Sequence, residues 1–563
     1  MKLSAALCGF HLQLEPVCRA HYSWPMVVVI KLASVAFLAL FMGGCVHGSS
    51  APVAPAGVVA APGDVFPDEA VRLELFAFLV DAIREYHVFN APPHTPDAEW
   101  EAHLPGIEAE FREAEDLLSL NIALHHLGNS LRNPHCFFSA GGGLEDLPSM
   151  TLTSGFRLKA EVFDGSPRLY LGSIEDESLG VAPGDVLVAI DGTENPLVTH
   201  SLDSHQNYSY GLARDVARHL SSTRTSQSTY QLDETTRWTF APREGGERVE
   251  IETRWKESER EPGPSDFSEL EYEGDACGTL SDRHYGPGYR RTAAGMNYCL
   301  YASDHPDFKA YPVVRYFSFF YIPPGYSTDM YHTIRAEWYG LSAHLDALED
   351  VEGIVLDLRD NTGGFSPNLF LSWWATKPWD TGYEHKRAIP ALLEEPLASA
   401  AFRRTSQREA YRAQLEAVPP DADFLAPQAW DPTPGGSMTR TPDRRVTDRP
   451  VALLVGPGCV SSCDSFSLIW SRNDMGPLVG ERTASAYTSS RLRLPVKAGD
   501  LQLGTLSLAI GYETLGDDPT STEAVPIPLT VSIPHTFDNT DSYDADVVSA
   551  AIDALQKRTP NVR

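Results

Sequence analysis

Two stretches of this chain have the residue types and spacing to hold an oxyanion beside a nucleophile. Gly353-Ile-Val-Leu-Asp-Leu-Arg-Asp-Asn-Thr-Gly-Gly364 runs from an apolar segment into a glycine pair. Gly456-Pro-Gly-Cys-Val-Ser-Ser-Cys-Asp-Ser-Phe466 leads into small polar residues that can open a helix. Each reads as a buried strand entering a special turn. Glycine lets backbone N–H groups point freely into a cleft, and a serine at a helix N-terminus sits where the macrodipole favours developing negative charge. The layout is that of a serine-hydrolase oxyanion hole, with Ser461 the candidate nucleophile. Ser461-x-x-Asp464 also has the form of a capping box, in which the serine would only cap a helix, and Ser462 and Ser465 stand close by.

The segment from Gly353 to Gly364 resembles the G-I-x-x-D-L-R-x-N-x-G-G signature of the C-terminal processing (tail-specific) protease and tricorn-core family. Pro450 to Ser461 and Leu478-Val-Gly-Glu-Arg-Thr483 are similar to the strand, nucleophile and V-G-E-x-T elements that follow it there, in the same order. The resemblance implies a serine endopeptidase with an acyl-enzyme on Ser461. It implies an oxyanion N–H from Gly363 and Gly364, joined by that of Ser462. In the tail-specific branch the base is a lysine soon after V-G-E-x-T, but this chain has Ala484-Ser-Ala-Tyr487 there, and no lysine occurs between Ser461 and Lys497. The tricorn-like branch uses a histidine held by a glutamate. His135, in Leu131-Arg-Asn-Pro-His135, and Glu523, in Glu523-Ala-Val-Pro-Ile527, match these positions, although Thr530 departs from the usual continuation. An imidazole suits a base at physiological pH, and a carboxylate would fix its tautomer. Asp357 and Arg359 read as a structural pair. The missing lysine sustains a rival reading, a catalytically inactive PDZ-containing pseudoprotease that only binds peptides.

These residues must be positioned by several elements. Leu75, Phe78, Leu79, Ala82, Ile83 and Tyr86 recur at helical spacing, and a second helix is expected over Leu117 to Leu131. Strand periodicity begins near residue 152, and Leu179-Gly-Val-Ala-Pro-Gly-Asp-Val-Leu-Val-Ala-Ile-Asp-Gly192 resembles the turn and strand of PDZ domains, which capture extended peptides at a sheet edge. Residues 201 to 229 read as a helical insertion there, and Arg237 to Phe240 with Val249 to Thr253 as closing strands. Pro, Gly and charge make 256 to 298 a linker, and a strand is expected from Val313 to Tyr321. Alternating strands and helices follow. The expected fold is multidomain α/β: a signal region 1–44, a tether 45–64, a helical subdomain 65–150, a PDZ-like β domain 151–256, an insertion or linker 257–309, and an α/β protease core of ClpP/crotonase-like type over 310–563.

A hydrophobic content of 42% with 21% charged residues is that of a globular chain. The formal charge of −31 argues against nucleic acid as a partner, because phosphate binding needs a basic footprint. Val27 to Met42 suit the apolar region of a signal peptide, with translation expected to start at Met26. Met42-Gly-Gly-Cys45 resembles a lipoprotein box, which implies lipidation of Cys45 and an anchor in the membrane facing the periplasm; Val46 after it implies the outer membrane. Export permits disulfides. Cys277 with Cys299 is the expected pair, and Cys459 and Cys463 bracket Ser461 either as a bond or as two small buried residues. No CxxC pair occurs, which argues against zinc, and the resemblance implies neither metal nor organic cofactor.

Overall fold

The computed structural model describes residues 66–558 except 89–97, 134, 145–146, 148–149, 204–208, 259–282, 320–329, 365–366, 396, 403–404, 430–438, 443–444, 486, 488–490 and 516–525. Contacts divide the chain into Met1–Asp64, outside the described residues, and Val65–Arg563, which contains everything below. The signal region, the tether and Cys45 therefore lie outside the described residues.

Three helices come first: α1 (Glu69–Tyr86), α2 (Ala98–Glu113) and α3 (Leu117–Asn129). Asp68 caps α1 by accepting from Val71 N, and Asp116 with Ser119 forms a capping box on α3. Leu75, Leu79, Ile83, Ile107, Phe111, Leu124 and Leu127 interlock in one core, while Phe78, on the same apparent stripe, is 53% exposed. Helix α2 is absent from the sequence expectation because Pro105 stands inside it and interrupts the pattern. The chain leaves α3 into β1 (Phe137–Ala140).

A β domain follows: β2 (Phe156–Phe163), β3 (Ser166–Ile174), β4 (Val186–Ile190), helix α4 (Ser209–Ser221), β5 (Thr235–Ala241) and β6 (Val249–Arg254). The strands run in the order β2-β3-β4-β5-β6, with the short strand Thr193–Glu194 beside β4. Alternation along β2 and β5 turns Phe156, Leu158, Trp238 and Phe240 into a core closed by Val216 and Leu220 of α4.

The largest sheet has seven strands: β7 (Tyr289–Ala294), β8 (Tyr298–Ser303), β9 (Val313–Tyr316), β10 (Ile354–Asp357), β11 (Val451–Val455), β12 (Leu478–Gly480), and the last, β15 (Val531–Ser532), in that order. The pairs from β7 to β9 are antiparallel and those from β9 to β15 parallel. Both β10, apolar up to its last residue Asp357, and the continuously apolar β11 are wholly buried, as strands of a covered parallel sheet are. Helices α5 (Met330–Asp346), α6 (Pro367–Trp374), α7 (Ser462–Arg472) and α8 (Tyr543–Arg558) supply the flanking layers. The sheet begins at Tyr289, inside the stretch read from sequence as a linker. Strand β7 lies at the sheet edge, so Arg290 and Arg291 face water, and its composition imitates a loop. A separate hairpin, β13 (Arg491–Ala498) and β14 (Leu501–Ala509), pairs with β1. That pairing brings the chain after α3 to the catalytic half. Among the described residues, no helix is long and apolar enough to cross a membrane.

Candidate active site

Strands β10 and β11 are parallel neighbours, with Asp357 opposite Leu454, so the turns after them emerge side by side. This is the carboxyl edge of a parallel sheet, where open α/β folds place their ligands. After β10, Asn361 acts as a clip. Its Nδ2 donates to Tyr316 O at 3.1 Å, its Oδ1 accepts from Gly363 N at 2.9 Å, and its carbonyl accepts from Val460 N at 3.1 Å. The side chain is fully buried and ties the glycine turn to the nucleophile turn. Sequence reading quoted Asn361 within the motif without giving it a role; its place between two turns was the available signal.

Gly363 has φ +88°, and a Cβ there would meet Val460 O at 2.6 Å, Ser461 Cβ at 2.9 Å and Ser462 N at 2.9 Å. Glycine is thus required both for its backbone and for the space it leaves. Gly363, expected with Gly364 to offer an oxyanion N–H, already donates its N–H to Asn361 Oδ1.

Ser461 stands between β11 and α7 with φ 60° and ψ −121°, left-handed for a residue with a Cβ. Such strain at a strand-to-helix turn lifts the hydroxyl clear of the helix. Its side chain makes no capping hydrogen bond, and Asp464 instead accepts from Ser485 N at 3.0 Å, so the capping-box alternative is absent. Ser462 Oγ donates to Gly364 O at 3.1 Å. Cys459 and Cys463 are joined in a disulfide with Cα atoms 5.2 Å apart, enclosing the turn. Cys299 is also disulfide-bonded, to a partner outside the described residues, as Cys277 is. The buried Cys136 is in no disulfide, and its sulfur accepts from Ala509 N at 3.2 Å.

His135 Nε2 lies 3.3 Å from Ser461 Oγ, across 326 positions of sequence. The imidazole is 5% exposed. Its backbone is held at both ends: His135 N donates to Asn133 Oδ1 at 2.8 Å, and Ser507 Oγ of β14 donates to His135 O at 3.0 Å. Asn133 supplies that acceptor through its side-chain amide oxygen. Lys497 is exposed on β13, near the hairpin end opposite Gln502. Glu523 lies outside the described residues.

Behind the turns, Arg359 grips Asp357 with two hydrogen bonds of 2.8 Å and reaches Asp544 at 2.7 Å. Arg283 and Arg315 both bond Asp360, and Tyr285 OH donates to Asp357 at 2.8 Å. Burial alone would raise the Asp357 carboxyl. The surrounding guanidinium groups, Arg359 first, hold it well below the usual carboxylate range. The cluster braces the strand end. Among the described residues, no group of three His, Cys, Asp or Glu side chains is arranged to hold a metal ion.

A strained serine after a parallel strand, an imidazole at its hydroxyl and a glycine turn alongside describe a serine-type peptidase. Residues 328–499, which include Ser461 and both turns, match peptidase family S41. Those residues make an S41 protease core within a mixed α/β multidomain fold. Two solved structures share the fold over nearly their whole length. Mature CPAF complexed with lactacystin has a TM-score of 0.58 at 16% identity, over 87% of this chain and 98% of that one. Mature CPAF alone has a TM-score of 0.59 at 15% identity, over 88% and 99%. No curated protein sequence matches the chain.

Proposed function

We propose that this chain is an exported serine endopeptidase that cleaves peptide or protein substrates through an acyl-enzyme on Ser461. The observation that carries the reading is the 3.3 Å approach of His135 Nε2 to Ser461 Oγ. His135 removes the hydroxyl proton as Ser461 Oγ attacks the scissile carbonyl, then passes that proton to the leaving amine. The N–H groups of Gly364 and Ser462 stabilise the oxyanion, Ser462 from the positive end of α7. A water deprotonated by His135 then attacks the ester, and the proton returns to Ser461. Glu523 is assigned to hold the imidazole, on the strength of the motif it resembles. This chemistry needs no metal or organic cofactor.

The first three helices form the N-terminal helical subdomain of this reading, and β2 to β6 with α4 the PDZ-like domain, in keeping with the Leu179 to Gly192 motif. Cys45 carries the lipid that anchors the enzyme in the outer membrane, facing the periplasm, and nucleic acid is no partner. A fluorophosphonate probe tests the catalytic reading. Wild-type protein should be labelled and Ser461→Ala should not. A folded wild-type protein inert to the probe would leave only the rival, a pseudoprotease that binds peptides without cutting them.

A further inference from the structure

The disulfide between Cys459 and Cys463 encloses only Val460, Ser461 and Ser462, so it closes directly around the nucleophile. Ser461 is held there at φ 60° and ψ −121°, a conformation that persists in a residue with a Cβ only when its surroundings impose it. The serine has a less strained alternative. It immediately precedes α7, and Asp464 stands three positions on, so a relaxed backbone would let its hydroxyl accept from the Asp464 N–H and cap the helix. In the structure that capping bond is not made.

The disulfide opposes the relaxation because both of its ends are anchored. Cys459 N donates to Gly456 O at 2.9 Å, and Cys459 O accepts from Ala484 N at 3.1 Å. Cys463 lies in the first turn of α7, whose Phe466, Ile469 and Trp470 are locked in the core. Opening the bond strands no buried donor. Cys463 Sγ lies 3.7 Å from Leu358 O and Cys459 Sγ 3.5 Å from Ser467 Oγ, so each thiol of the reduced protein finds an acceptor already in place. The bond spans only four positions, too short a loop for its closure to decide whether the chain folds. Reduction therefore changes the turn and leaves the fold.

We infer that Cys459 and Cys463 form a redox switch for Ser461: as a disulfide they hold the serine poised beside His135, and as thiols they release it to cap α7, so the chain is inactive until oxidised. The inference rests on the peptidase reading, since it concerns the same serine. The co-reactant is a disulfide-bearing oxidant. A thiolate of the pair attacks it to form a mixed disulfide, and the second cysteine then displaces the oxidant, which leaves as thiols carrying the two electrons and two protons. Both cysteines are fully buried in the fold, so the exchange belongs to the stage before the turn closes, and the finished bond is shielded from outside thiols. A chain carried out of a reducing compartment would become active only on the far side.

The test refolds the full chain from urea in excess dithiothreitol or in a glutathione disulfide couple, counts free thiols, and follows fluorophosphonate labelling of Ser461 alongside far-UV circular dichroism. Both samples should fold, with the reduced one labelling at least about ten-fold more slowly. A Cys459→Ser, Cys463→Ser variant keeps the Cys299 bond and should label as slowly as the reduced wild type under either condition. Equal labelling of the two wild-type samples would overturn the inference. So would a reduced protein without native circular dichroism, whose inactivity would be plain unfolding. A variant that labels like the oxidised wild type, or that slows as much as the wild type does in dithiothreitol, would take the effect away from this pair and overturn it as well. No labelling of the folded, oxidised wild type would instead sink the peptidase reading and the inference with it, which keeps the two failures apart.

Discussion

Replacing Gly363 by alanine should damage catalysis far more than stability. The new Cβ would sit 2.6 Å from Val460 O and 2.9 Å from Ser461 Cβ, where ordinary contact begins near 3.4 Å. The nucleophile turn would have to move away by about 0.8 Å, since backbone carbonyls cannot swing aside as a flexible side chain can. A misplacement of that order costs roughly 100-fold in rate when it separates a nucleophile from its base. The left-handed backbone adds a strain of about 1–2 kcal/mol, which in a chain of this length lowers Tm by only a few degrees. Gly165 is the control. It has φ +79° with nothing within 4 Å of its Cβ position, so Gly165→Ala suffers the same backbone strain without the crowding. Steady-state hydrolysis of a short fluorogenic peptide should show kcat down on the order of 100-fold for Gly363→Ala, with KM little changed, and both constants unchanged for Gly165→Ala. Equal kinetics in the two variants would refute the argument that the glycine turn fixes the nucleophile's place.

Replacing Cys459 and Cys463 together by serine opens a bond that spans only four positions, so the chain-entropy loss is small, about 2 kcal/mol; kcat should fall more visibly than Tm, and an unaltered kcat would deny the bond any part in holding the turn. Glu337, pushed up to about 7 by burial although Met296 N and Asn297 N donate to it, is neutral in the fold at pH values where the unfolded chain ionises. Its contribution to stability is therefore fully present below the unfolded value near 4.5 and is lost as pH rises through 7. The wild-type protein should lose on the order of 3 kcal/mol relative to Glu337→Gln between pH 4 and 8, and parallel urea-melting curves across that range would contradict the assignment. Cys45→Ser should move the protein from the membrane to the soluble fraction; unchanged fractionation would remove the lipid anchor from the account.

What was legible in the sequence was what local physics dictates. The apolar runs Ile354 to Leu356 and Val451 to Val455 read as buried strands, and the glycine pair and small residues after them marked the turns. Chain-distant geometry was not legible. Nothing in the spacing brings His135 to Ser461, because that approach depends on β1 pairing with β14 in a separate hairpin; only the resemblance to a family pointed there. The Gly363 donor failed for a similar reason. A turn glycine's N–H is free only if no side chain takes it, and Asn361, two residues earlier, does. Strand β7 and helix α2 were missed because charge on an edge strand and a proline within a helix imitate loops.

The most direct test of the central claim is to map the fluorophosphonate adduct by peptide mass spectrometry in wild-type, His135→Ala and Lys497→Ala proteins. The account predicts an adduct on Ser461 in the wild type, labelling slowed by several powers of ten in His135→Ala, and normal labelling in Lys497→Ala. An adduct on Ser462, or full labelling without His135 and none without Lys497, would contradict it.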